Sequence, residues 1–167
     1  MATYSDWKPS KHDDYFTRDE EWEQIAKYIP KNKIVSMPFY SPYSKCNELL
    51  GKYIDNKIIY MDEDFFENDR GQLVCDNPPF GLKKKIILKL VERNKQFMLI
   101  VPISTIAYNY AKVLKNHLQL LIFKSRPKYM KCDTKTGKIN FNDKKQPAFD
   151  SCVICWKMNL KNDINFI

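Results

Sequence analysis

Phe97-Met-Leu-Ile-Val101, five consecutive apolar residues, constrains the fold more than any other stretch of the chain. The run is far too short to cross a bilayer, and it lacks the alternation of a strand with one wet face. It therefore fits a strand covered on both faces, the usual state in a parallel sheet. Helical signals precede it. Thr17-Arg-Asp-Glu20 has the capping-box form, and Trp22, Ile25, Ala26 and Ile29 recur at helical spacing up to Pro30. Leu82, Ile86, Ile87, Leu90 and Val91 predict a second helix, and Ser104 is placed to cap a third through Leu114. Strands are expected at 33–37, 57–61, 73–75, 96–101, 118–123 and 151–158, with a short helix at 47–53. A polar, lysine-rich stretch, 124–149, separates the last two strands and holds a small strand at 138–141. Helices between the early strands and none between the late ones predict an α/β sheet, mostly parallel with an antiparallel edge strand, and helices on both faces.

With 167 residues the chain is expected to form a single domain, with a short arm over 1–14 and no separate unit for target recognition. The polar N-terminus and the lack of a long apolar run imply a soluble, intracellular protein with no membrane partner. The five cysteines show no framework spacing. Cys152 and Cys155 form a C-x-x-C inside a predicted strand, with no second pair nearby, so they read as buried apolar residues and no metal is assigned.

Charge divides the chain. Residues 1–80 carry ten lysines and arginines against fifteen acids, a net of −5, whereas 81–167 carry eighteen against five, a net of +13. A basic half points to a polyanionic partner, most commonly nucleic acid.

The string that carries chemistry is Asp76-Asn-Pro-Pro-Phe80, at the end of the predicted third strand. In such sheets ligands bind beyond the carboxyl ends of the strands. The amine of adenine is a poor nucleophile because its lone pair is drawn into the ring, so a catalyst must accept both amine hydrogens while the nitrogen becomes more tetrahedral. Asn77 offers a side-chain carbonyl and Pro78 a backbone carbonyl. The pair Pro78-Pro79 fixes φ and removes donors, so the second acceptor is held rigidly. Phe80 supplies a flat face for an extruded base. Acceptors aimed at developing positive charge, with in-line placement of a methyl donor, need neither metal nor strong base.

Val74-Cys-Asp-Asn-Pro-Pro-Phe80 resembles the signature of class I adenine-specific (N6) DNA methyltransferases of restriction–modification systems and phages, and the resemblance covers most of the chain. It implies a Rossmann-like sheet and S-adenosylmethionine as cofactor. Tyr15-Phe16-Thr17 is similar to the family's N-terminal motif near the carboxylate end of the cofactor, with Arg18 in place of the usual proline. Pro38-Phe39-Tyr40 matches a variant of the first cofactor loop, although Ser41-Pro-Tyr-Ser-Lys45 lacks that loop's glycines. The acidic segment implies Asp62 for the ribose hydroxyls and Asp64 for the cofactor's adenine amine; Asp76 joins the cofactor set.

Without a target-recognition domain, base choice must come from 124–149, from a homo-oligomer or from a partner subunit. Arg126, Lys128, Lys131, Lys135, Lys138, Lys144 and Lys145 are its cationic side chains, while Lys83, Lys84 and Lys85 open a helix beside Phe80. Three readings follow: an adenine-N6 methyltransferase on DNA, the same chemistry on RNA, or a non-catalytic nucleic-acid-binding subunit of the same fold. A related site also methylates a glutamine side chain in proteins, which the basic half disfavours.

Overall fold

In the computed structural model, residues 15–39, 45–60, 63–132, 139–140 and 146–167 are described. The chain runs β1 (Tyr15–Thr17), α1 (Asp19–Ala26), β2 (Val35–Met37), a 3₁₀ segment (Lys45–Lys52), β3 (Ile58–Tyr60), β4 (Leu73–Asp76) and α2 (Lys83–Glu92). It continues as β5 (Gln96–Pro102), 3₁₀ segments (Ile103–Ala107 and Asn109–Leu114), β6 (Leu118–Ile122), β7 (Tyr129–Cys132), β8 (Ile139–Asn140), β9 (Ser151–Trp156) and β10 (Ile164–Phe166).

Seven strands form one sheet in the order β10-β6-β9-β5-β4-β2-β3. Every pairing in it is parallel except those of β9, which runs antiparallel to β5 and β6. The expected antiparallel strand is therefore threaded inside the sheet, and the outer strands are β3 and β10. A second, antiparallel sheet, β1-β7-β8, pairs Tyr15 with Lys131 and Thr17 with Tyr129.

The apolar run at β5 is central because both its faces are covered. Phe97, Leu99 and Val101 join a core with Ile86, Ile87 and Leu90 of α2, while Met98 and Ile100 join the opposite core with Trp22, Ile25 and Ala26 of α1. The same two-residue period splits β9. Cys152 packs on the α2 face and Cys155 on the α1 face, so the C-x-x-C points to opposite sides of the sheet and both thiols are buried.

Local signals failed in two places. Thr17 lies in β1, leaving Arg18 as the N-cap of α1 with no side-chain cap bond, so the capping box does not form. The predicted helix at 104–114 is two 3₁₀ pieces broken by Tyr108 in an extended conformation (φ −73°, ψ 148°). Thr105, Ile106, Tyr108 and Asn109 are all weak helix formers, so no propensity resists the break. Gly71, at φ +69°, makes the turn into β4; a Cβ there would lie 2.8 Å from Ser36 Cβ.

Candidate active site

The chain leaves β2 for β3 on one side and returns to β4 on the other, so strand order reverses at β2. Such a reversal opens a crevice at the carboxyl ends of the two strands, where loops diverge to opposite faces. Pro38-Phe39 follows β2 and Asn77-Pro78-Pro79-Phe80 follows β4, so the first predicted cofactor loop and the predicted catalytic string meet at this edge.

Asp76 joins them. Its Oδ2 accepts the Phe39 N–H and its Oδ1 the Asn77 N–H, both at 2.8 Å. The residue is 1% exposed and both its oxygens are engaged by backbone N–H groups, so it acts as a joint between the two loops. Burial pushes its carboxyl up to about 7, against the pull of the two backbone N–H groups.

Asn77 is held from a distant part of the chain. Its Nδ2 donates to the Tyr15 carbonyl at 3.2 Å, which fixes the amide so that Oδ1 faces away. Oδ1 is buried and has no hydrogen-bond partner among the described residues. A buried carbonyl left bare is costly unless a donor is supplied from outside. Pro78 and Pro79 are buried, and among the described residues no hydrogen bond ends on the Pro78 carbonyl; the Pro79 carbonyl accepts Leu82 N–H at 2.9 Å and turns the chain into α2. Two acceptors on adjacent residues are thus available to one donor group bearing two hydrogens.

Phe80 is half-buried, with Phe149 standing edge-on at 5.1 Å and 73°. Sequence reasoning gave Phe149 no role. The signal was topological: an antiparallel strand enters the sheet at the edge where its parallel neighbours leave, so residues just before β9 sit beside those just after β4 and β5. The register of Pro102 with Ser151 shows this directly. Arg126 braces that entry. Its guanidinium donates to the carbonyls of Pro147 (2.5 Å) and Phe149 (3.2 Å) and pairs with Asp150 at 3.1 Å. Its guanidinium is thus engaged by the protein while the side chain stays 52% exposed.

Of the predicted cofactor residues, Tyr40 and Asp62 lie outside the described residues. Phe16 and Thr17 sit in β1, with the Thr17 hydroxyl buried and without a hydrogen-bond partner among the described residues. Pro38 and Phe39 are buried. Asp64 is half-buried, and its Oδ1 accepts the Phe66 N–H at 2.9 Å in a tight turn. This turn is clamped by a residue that no local pattern flagged. Arg93, just past α2, donates to the carbonyls of Phe65 (2.8 Å), Phe66 (2.7 Å) and Asn68 (3.1 Å) and lies 5.1 Å over the Phe65 ring. Phe65 in turn packs on Phe39 at 5.1 Å, so both predicted cofactor loops share one apolar floor.

The basic candidates scatter. Lys83 donates to the Phe80 carbonyl at 3.1 Å and lies 5.8 Å over the Tyr108 ring, while Lys84 and Lys85 are exposed. Lys128 is exposed just before β7. Lys131 Nζ lies 5.3 Å over Tyr15, the residue whose carbonyl anchors Asn77. Lys135, Lys138, Lys144 and Lys145 lie outside the described residues. Among the described residues there is no cluster of side chains able to hold a metal, and no helix is long and apolar enough to cross a membrane.

A seven-stranded sheet with one antiparallel strand inside and its crevice at the strand reversal is a Rossmann-like fold of the methyltransferase type. The chain is similar to the crystal structure of the 23S rRNA methyltransferase ErmE, with a TM-score of 0.52 over 84% of this chain and 68% of that one. At 11% identity the likeness is one of fold. No protein-family model matches the sequence, and comparison with curated proteins finds no match.

Proposed function

We propose that this chain is an S-adenosylmethionine-dependent methyltransferase acting on the exocyclic N6 amine of adenine in nucleic acid, with DNA as the first acceptor to test. The observation that carries the reading is Asn77: its amide nitrogen is tied to Tyr15 and its buried oxygen is left bare beside the Pro78 carbonyl. When bound, S-adenosylmethionine would supply a sulfonium-activated methyl group for the amine nitrogen; the methyl C–S bond breaks as the C–N bond forms, leaving S-adenosylhomocysteine, and one amine proton passes to solvent. The protein's part is positioning. Asn77 Oδ1 and the Pro78 carbonyl accept the two amine hydrogens and stabilise the positive charge that grows on nitrogen. Phe80 stacks on the extruded base. The bare Thr17 hydroxyl suits the polar end of the cofactor, and the floor of Phe39 and Phe65 suits its adenosine.

RNA is the second reading, favoured by the fold likeness to an enzyme of 23S rRNA. Incubation of labelled cofactor with duplex DNA, single-stranded DNA and RNA decides between the acceptors. Transfer to none of them, together with no calorimetric binding of S-adenosylmethionine up to about millimolar, would replace the enzyme with a non-catalytic nucleic-acid-binding subunit.

A further inference from the structure

The aromatic corner at Phe80 extends beyond the acceptor pocket. The loop after β5 leaves the sheet at the same edge, where Ile103 N–H donates to the Asp150 carbonyl at 2.9 Å, one residue past Phe149. Tyr108 then projects from the break between the two 3₁₀ segments, 48% exposed, with Tyr110 stacked on it at 5.6 Å and 16°. Lys83 connects this pair to the pocket, since its Nζ reaches both the Phe80 carbonyl and the Tyr108 ring.

We propose that Tyr108, with Tyr110 stacked on it and the Lys83 ammonium over its ring, is a stacking platform for the nucleobase next to the flipped adenine, the lysine swinging from the ring to a phosphate as the base arrives. The inference rests on the nucleic-acid reading above. An exposed ring held parallel to a second ring presents a rigid flat face at little entropic cost, and base–aromatic stacking tolerates any base. The occupant is identified by charge as well as shape. Lys83 lies over the ring, Lys84 and Lys85 follow it in α2, and Lys112 shares the 3₁₀ segment of Tyr110; Lys84, Lys85 and Lys112 are exposed, which suits a phosphate backbone and opposes a basic or purely apolar partner. Ile103 and Ile106, 40% and 38% exposed, extend the surface for sugar and base contacts. Extrusion of one adenine leaves its neighbour without a stacking partner, and a ring linked to Phe80 through Lys83 replaces it.

The test uses short single-stranded DNA and RNA carrying 2-aminopurine beside the acceptor adenine, read by fluorescence on binding to the full chain. The wild type is expected to quench the probe at the flanking position. Tyr108→Ala should abolish the quench and raise KM about tenfold, with kcat within about twofold; Tyr108→Phe should keep both near wild type because the ring remains. Unchanged quenching and KM in Tyr108→Ala would overturn the platform, as would a Tyr108→Phe variant that behaves like Tyr108→Ala. Fluorescence reports binding without turnover, so an inactive wild type that still quenches would sink the methyltransferase reading and leave the platform standing.

Discussion

Asn77 and Asp76 are neighbours with opposite duties. Asn77 keeps a bare acceptor, so on the proposed methyltransferase reading Asn77→Ala should abolish methyl transfer while leaving cofactor affinity within about tenfold, because the lost interaction is made chiefly in the transition state. Full activity in that variant, measured with labelled cofactor, would remove Asn77 from the chemistry. Asp76 keeps nothing bare: both its oxygens are engaged by the backbone. Its carboxyl releases a proton near 3.8 when unfolded and at about 7 in the folded chain. Between those values the native state binds more protons, so stability from this group declines as pH rises from about 4 to about 7 and levels off above. Asp76→Asn should flatten that decline, at the loss of one backbone bond worth about 1–3 kcal/mol. Urea unfolding across the range checks it; an unchanged slope would place the titration elsewhere.

At the scale of elements, α2 serves two ends of the site. Its start follows Phe80 and carries Lys83, and Arg93 just past its end grips the turn at 65–68. Three backbone carbonyls of the crossover from β3 to β4, those of Phe65, Phe66 and Asn68, find a donor in this one guanidinium. Arg93→Ala leaves three carbonyls without that donor and frees the Phe39–Phe65 floor proposed to lie beneath the cofactor. Cofactor Kd is expected to rise about tenfold or more, with kcat at saturating cofactor nearly unchanged, while Arg93→Lys, lacking the planar fork, restores only part. Calorimetry on both variants reads this directly, and equal affinity in wild type and alanine variant would show that the turn holds itself. The small sheet β1-β7-β8 is the other element with a dual role: it closes the basic stretch onto the main body and brings the Tyr15 carbonyl to Asn77.

For the whole molecule, the proposed nucleic-acid reading makes the basic half the electrostatic landing surface. Charge reversal at Lys128 and Lys131 together should weaken nucleic-acid binding and lower the steepness of its salt dependence by about one to two in log–log slope, for two lost phosphate contacts. An unchanged slope would move the surface away from β7. Period and composition in the sequence determined the elements that bury their own apolar faces, namely α1, α2, β2 to β6 and β9, together with the string Asp76 to Phe80, because each is encoded by residues close in the chain. They missed β1, β7 and β10, three or four residues each, which exist only through pairing. They also missed what makes the string a site. The bare oxygen of Asn77 depends on a carbonyl 62 residues earlier, and Phe149 reaches Phe80 because β9 runs against its neighbours. Arg93 likewise grips a turn 25 to 28 residues back. Local spacing carries no record of such contacts; only the closed sheet, by fixing which strand ends meet, decides them.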